Sequence, residues 1–370
     1  MTATKGLEGI VATTSSISSI IDGVLTYRGI DIDELAERAS FEEVIYLLWF
    51  GKLPNRSELE QLRKDLNENM SIPDGIIQQL KLYPKDTNSM AALRTAVSSL
   101  SFYDREAGDM SREANIRKAI RLQVKLPAVI AAFARIREGK EPLPPAGHDT
   151  IAANFLYMLT GEEPHSTAAE ALNKALVLHA DHELNASTFA ARVTVATLSD
   201  IYSGITSAIG ALKGPLHGGA NEAVMAMLEE IGTEDNIRPY ITKKIEHKEK
   251  IMGFGHRVYK TGDPRAKHLQ QMSKELGEST GDLKWYNMSI RIEELIHNLK
   301  GLKPNVDFYS ASVYTALQIP RDLFTPIFAL SRTAGWAAHI LEQYENNRII
   351  RPRAEYTGPV NQRFIPIESR

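Results

Sequence analysis

The sequence predicts an all-α fold of two domains, the smaller inserted in the larger. Three observations lead there. Helix-type apolar spacing and cap signals recur from Ser40 to Asn346, whereas strand signals are few. Gly204 and Gly210 lie among Ala, Ser and Thr between Asp200 and Leu212, a density of small residues expected where helices are in near contact. After Gly219 the character shifts to charged amphipathic segments around a glycine-rich loop, before a long apolar stretch from Asp322 to Asn346. The expected division is 1–218 for the first part of the large domain, 219–318 for the small domain and 319–370 for the return helix and C-terminal arm.

Taken in order, Leu7–Ser19 and Gly23–Gly29 read as short extended pieces forming a small hairpin. Ser40-Phe41-Glu42-Glu43 is a capping box ahead of an apolar run that stops at Gly51. Ser57-Glu58-Leu59-Glu60 repeats that signature for a charged helix to about Met70, and Pro73 suits the first turn of another. Ser89–Phe102 is an Ala/Leu/Val helix. Ser111–Lys140 is long and amphipathic, with Pro127 expected to kink or break it. Glu141–Gly147 is a surface linker by composition. Helices follow at Ile151–Thr160, Thr167–His179, from Asn185 or Ser187 to Leu198, and Asp200–Leu212. In the small domain Asn221–Ile231 reads as a helix, Thr242–Glu249 is charged, and Ala266–Leu276 and Trp285–Leu299 are amphipathic. The tail from Ile349 has few helix signals.

Composition narrows the function. The 370 residues hold 43 Lys and Arg against 46 Asp and Glu, a balance that gives no basic stripe for nucleic acid. There is no cysteine, so disulfide and thiolate chemistry are excluded for this chain. No run approaches the roughly 18 apolar residues of a membrane span. Met1–Ile20 lacks a signal-peptide pattern, and a cytoplasmic location is expected.

Four stretches could carry chemistry. Gly214-Pro215-Leu216-His217-Gly218-Gly219-Ala220-Asn221 places a histidine between a Pro-broken helix end and two glycines. It is either a ligand-facing turn or a helix–helix turn whose histidine caps carbonyls. His179-Ala180-Asp181-His182-Glu183 puts two histidines three residues apart, on one face of a helix. A metal pair is one reading. A polar network in which His182 bonds an oxyanion or carboxylate is preferred, because the spacing is one short of the His-Glu-x-x-His zinc pattern. Gly253-Phe254-Gly255-His256, continuing through Lys260 to Asp263-Pro264-Arg265, suits an anion or an ordinary solvated basic turn. It is neither a phosphate loop nor a dinucleotide fingerprint. Asp307, between Val306 and Phe308, is either a partly desolvated base or the cap of a helix beginning near Ser310. Arg332 lies inside the apolar helix and needs a partner. Arg351 and Arg353 suit carboxylate or phosphate contacts, or a solvated tail.

Together these blocks occur in the order seen in citrate synthases, and the resemblance runs from Tyr27-Arg28-Gly29-Ile30 to Tyr356-Thr357-Gly358. It implies a helical homodimer that condenses acetyl-CoA with oxaloacetate and hydrolyses citryl-CoA, without a metal or redox cofactor. By resemblance Asp307 is the base that takes the acetyl methyl proton. His217 bonds the enolising thioester oxygen, and His256 protonates the oxaloacetate carbonyl. His182, Arg265 and Arg332 bind oxaloacetate, and Arg351 reaches the site from the partner subunit. CoA lies along Gly253, Phe254 and Gly255, with Lys260 and Arg353 near its phosphates. The glycines flanking His217 and the Gln318-Ile319-Pro320 segment are the expected hinges. The chain begins almost directly with the helical body, so no NADH-responsive N-terminal domain is expected. The rivals are a 2-methylcitrate synthase using propionyl-CoA, a non-catalytic helical scaffold, and a metal hydrolase at His179 and His182.

Overall fold

The computed structural model describes residues 5–7, 9–256, 259 and 262–370. A three-stranded antiparallel sheet opens the fold: β1 (Ser18–Ile21), β2 (Val24–Tyr27) and β3 (Ile30–Asp31), with Ser18 opposite Tyr27 and Tyr27 opposite Ile30. The expected hairpin therefore gains a third, two-residue strand. Everything else that is regular among the described residues is helical.

The first helices follow their caps. In α1 (Ile32–Arg38) Asp31 caps the start. The Ser40–Glu43 box opens α2 (Phe41–Phe50), and Gly51 ends it with φ 78°. The cap of α3 (Arg56–Glu68) is Asn55, not Ser57: Asn55 accepts from Glu58 N–H, Glu58 reaches back, and the Ser57 hydroxyl merely donates to Asn55. Pro73 precedes α4 (Asp74–Lys81) as its cap rather than lying in its first turn. Beyond α5 (Ser89–Leu100), α6 (Arg112–Arg137) runs unbroken through Pro127. The expected break is absent because the helix is buried from Leu126 to Ala134, and tertiary packing outweighs the missing N–H.

Next come α7 (Ile151–Thr160), α8 (Ser166–His179), α9 (Ala186–Val195) and α10 (Ile201–Leu212). Gly204 of α10 bears out the small-residue expectation: a Cβ there would stand 2.6 Å from Val195 and 2.9 Å from Ile340. Then follow α11 (Ala220–Ile231), α12 (Ile237–Glu246), α13 (Ala266–Thr280), α14 (Lys284–Lys300) and α15 (Val306–Ala316). These five pack chiefly on one another and meet the other helices mainly through α8 and α16. The last helix, α16 (Phe324–Glu345), is buried almost from end to end and packs on α2, α6, α8, α9 and α10. It forms the axis of the core. Among the described residues no helix is long and apolar enough to cross a membrane.

Candidate active site

Two loops build the site's floor. Residues 253–255 are zipped to residues 303–305: Gly255 N–H donates to Lys303 O at 3.1 Å, Asn305 N–H to Gly253 O at 2.9 Å, and Asn305 Nδ2 to Gly255 O at 2.9 Å. Gly253 takes φ 82°, and a Cβ there would meet Phe308 and Val224 at 2.8 Å. Its freedom thus serves packing inside the protein. The Phe254 ring is buried 4.5 Å from Phe308, centroid to centroid. Of the three residues expected along CoA, Gly255 is the one with open space beside it. The ladder carries His256 at one end and Asp307 just past the other, so it sets their relative position.

Asp307 is not the helix cap. Asn305 fills that role by accepting the Asp307 N–H at 3.1 Å, and the helix begins at Val306, four residues before the expected Ser310. The Asp307 carboxylate is thereby released. It receives no hydrogen bond or ion pair among the described residues. Burial pushes it up to about 6, against the pull of Arg265, Arg332 and Lys250 and with the help of Asp263.

His256 and His182 lie with ring centroids 5.3 Å apart, and Tyr259 packs on both. Tyr259 N–H donates to His256 Nδ1 at 3.3 Å, which leaves the proton of the neutral ring on Nε2. His182 Nε2 is 3.1 Å from the Tyr259 hydroxyl. Burial first, then the charge of Arg265, holds both histidines below their ordinary value. Both are thereby favoured in the neutral form.

His217 sits in the turn before α11. Gly218, next to it, has its open side against Leu212 O, only 2.5 Å from where a Cβ would be. This glycine therefore serves the turn. His217 Nε2 lies 2.8 Å from Ser187 Oγ and receives Ser187 N–H at 3.3 Å. That N–H belongs to the first turn of α9 and is shared with the Asn185 cap, whose Oδ1 it reaches at 3.1 Å. It makes Nε2 the acceptor and leaves the proton on Nδ1. Trp336 Nε1 donates to Ser187 Oγ at 3.1 Å and steadies the contact. Burial lowers His217 to about 4.

The cations differ in their pairing. Arg265 is buried and held by Asp263 through two bonds, 2.9 and 2.8 Å. Despite its burial, this carboxylate raises its already high pKa. Arg332 is buried without such a partner among the described residues: Nε donates to His179 O at 2.7 Å, and the guanidinium lies 4.7 Å over the Phe328 ring. Burial lowers it to about 10, opposed first by Asp181. The partner expected for this arginine is thus a backbone carbonyl and an aromatic face, with Asp181 as the leading counter-charge. Asp181 itself is buried 3.3 Å from His339 Nε2 and accepts from the Ser18 hydroxyl. Gly335 of α16 makes room for it, since a Cβ there would stand 2.3 Å from Asp181 Oδ1 and 2.4 Å from Ala180 O. Gly335→Ala is expected to lower stability by about 1–3 kcal/mol through overpacking, measured as a drop in melting temperature.

His179 does not join His182 as a ligand pair. Its Nδ1 bonds Ala175 O at 2.8 Å within its own helix, and its ring packs on Phe328. Among the described residues no cluster of three or more His, Asp or Glu has metal-binding geometry. Arg351 lines a groove of about 770 Å³ between the N-terminal segment, α9 and the end of α16, and Arg353 is exposed beyond it. Among the described residues neither is hydrogen-bonded or ion-paired to His182, His217 or Asp307. Lys260 lies outside the described residues.

Sequence reading missed Ser187 as a partner of His217, and it missed the roles of Tyr259, Asp263, Asp181 and His339. Only Asp263 had a local signal, two positions before Arg265 in a Pro turn. The Ser187–His217 contact spans 30 residues.

A half-buried unpaired carboxylate, three neutral histidines and two buried arginines, held on an all-helical frame, define an acid–base enzyme for small anionic substrates. The family model described as citrate synthase, C-terminal domain, matches residues 6–353. Citrate synthase 2 of Bacillus subtilis is 66% identical over the full length of both chains. 2-Methylcitrate synthase 1 of Corynebacterium glutamicum is 42% identical over 99% of this chain and 98% of its own. The Thermoplasma acidophilum citrate synthase, solved as a ternary complex with carboxymethyl coenzyme A and oxaloacetate, is 34% identical. It superposes with a TM-score of 0.93 over 98% of each chain. The chain belongs to the citrate synthase family. Its reaction is the acyl transfer of a citrate synthase, at the entry of the tricarboxylic acid cycle.

Proposed function

We propose that Asp307 removes a methyl proton from acetyl-CoA while His217 Nδ1–H bonds the thioester oxygen. The resulting enol carbon attacks the oxaloacetate ketone, and His256 Nε2–H delivers its proton to the new alkoxide. Water then hydrolyses citryl-CoA, releasing citrate and CoA. His182, Arg265 and Arg332 hold the oxaloacetate carboxylates. The observation that carries this reading is the unpaired, desolvated Asp307 carboxylate, which feels Arg265 and Arg332, the same two cations that act on His256 and His217. A thioester methyl is a weak acid, so base and oxyanion donor must act together.

The reading extends to the assembly. Arg265 is already neutralised by Asp263 and Arg332 faces Asp181, so a dianion needs further positive charge. A homodimer that lends Arg351 to the partner's site supplies it. Residues 219–318 would close over oxaloacetate as a small domain. CoA would lie beside Gly255, with Arg353 and Lys260 near its phosphates, in a cytoplasmic enzyme without a metal or redox cofactor.

The test is release of free CoA from acetyl-CoA plus oxaloacetate in the presence of EDTA. Propionyl-CoA is expected to lag by about 10–200-fold in kcat/KM, the range one methylene commands. No CoA release, or loss of activity in EDTA, would overturn the reading. A reversed acyl preference would favour 2-methylcitrate synthesis.

The pH dependence follows from Asp307. A base must be ionised, and burial raises this one, so kcat is expected to fall as pH drops through about 6. His217, near 4, remains neutral across that limb. A kcat–pH profile flat from pH 7 down to 5 would contradict this assignment.

A further inference from the structure

Helix α13 starts immediately after Arg265, which occupies its cap position. Its first turn is tied to α1. Lys267 Nζ donates to Asp33 Oδ2 at 2.5 Å, and His268 Nε2 bonds Asp33 Oδ1 at 2.7 Å. One carboxylate thus holds two consecutive side chains on the opposite helix. Asp33 itself is fixed, because its N–H donates to the Asp31 cap at 2.9 Å.

Farther along, α13 stands away from the same neighbour. Met272, Glu275 and Leu276 face Ala36–Ser40 and the α8 residues Ala169–Lys174 across a cleft of about 490 Å³. From Lys267 to Leu276 the helix rises about 14 Å, at about 1.5 Å per residue. Arg265 lies only two to three residues from the tie, on its other side. The far half of α13 is held by other partners: Ser273 Oγ bonds Ser312 Oγ of α15 at 2.7 Å, and Met272 and Leu276 are buried. The Asp33 tie is the contact that holds the end of α13 next to Arg265.

We propose that Asp33 is a positioning residue: it pins the first turn of α13 to α1 and so keeps Arg265 and its Asp263 partner in register with the groups across the site. Asp33 touches no substrate. It acts through His268 and Lys267 on the backbone that carries Arg265. The Lys267 arm is well exposed and screened by solvent, whereas the His268 arm is buried and supplies the geometric constraint. This inference rests on the proposed role of Arg265 in oxaloacetate binding.

The experiment compares the steady-state kinetics and melting temperatures of Asp33→Ala, His268→Ala, their double variant, Asp33→Glu and Arg265→Lys. Asp33→Ala is expected to raise KM for oxaloacetate by about 5–20-fold, within the range of site-to-site couplings, with kcat and KM for acetyl-CoA within twofold of wild type. His268→Ala is expected to reproduce most of that rise, and the double variant to add little to either single change. Asp33→Glu, which keeps both acceptor oxygens, is expected to recover at least half of the loss. If Asp33→Ala fails to fold, the same split is read from His268→Ala. An unchanged oxaloacetate KM in Asp33→Ala or His268→Ala, alongside a raised KM in Arg265→Lys, would overturn the tie alone. An unchanged KM in Arg265→Lys would overturn the reading beneath it. A fall in melting temperature with kcat and both KM values degraded together would mark Asp33 as structural and overturn the proposal.

Discussion

Asp307→Asn is expected to lower kcat by about 10²–10⁴-fold, the contribution typical of a positioned general base. Asparagine matches the shape of the carboxylate and leaves the N–H that Asn305 accepts, so α15 should start as before. It cannot take a proton. Oxaloacetate binding is expected to survive, because Arg265, Arg332 and His182 are untouched. The same substitution should act on stability in the opposite direction. The folded-state pKa of Asp307, about 6, is above the ordinary 3.8. Ionising a buried acid that prefers to be neutral therefore destabilises the fold. That cost is full above about pH 6 and fades as pH falls towards 4. Some of the carboxylate surface is accessible, so the cost is at most about 3 kcal/mol. The variant should melt at a higher temperature than wild type at pH 8 and at a similar one at pH 4. A variant that turns over normally would remove Asp307 from the chemistry. One that is inactive and also less stable at pH 8 would show a damaged fold instead.

This opposition explains which parts of the protein were legible in the sequence. Helix starts are local chemistry. The Ser40–Glu43 box and the Asn185 and Asp200 caps lie within three residues of the N–H groups they satisfy. Where a local rule had two candidates, sequence alone could not choose. Asn55 displaced Ser57, and Asn305 displaced Asp307, because in each case the residue two positions earlier also carried a capping oxygen. Pro127 failed as a breaker because buried contacts on both sides of it outweigh a local cost. The candidate site residues were named through their resemblance to a family. What positions them was not, because those contacts join segments far apart in the chain. Gly335 looks like an ordinary helix glycine until Asp181, 154 residues earlier, is found where its side chain would be. Asp33 and His268 are 235 residues apart.

The turn at His217 gives the second large effect. Its glycines suggested a backbone shaped for a ligand, yet Gly218 is required by Leu212 O behind it. The candidate donor is the ring, whose Nε2 receives Ser187 N–H at the start of α9, a donor shared with the Asn185 cap. A donor that cannot act as an acceptor faces Nε2, so the neutral ring keeps its proton on Nδ1. With a pKa near 4, His217 is a neutral donor throughout the working range. It can stabilise a developing enolate without first losing a charge to solvent, the kind of preorganised donor that is worth most in a dry site. His217→Ala is expected to lower kcat by about 10²–10³-fold, equivalent to about 2.7–4 kcal/mol, with oxaloacetate affinity changed less than twofold. Single-turnover rates and oxaloacetate titration measure the two quantities separately. Ser187→Ala keeps the backbone N–H and should cost far less than His217→Ala, because the proton on Nδ1 is placed by the backbone donor rather than by the hydroxyl. Equal losses in the two variants would move the control of the tautomer to Ser187 Oγ. Near-normal turnover in His217→Ala would show that another group carries the thioester oxygen.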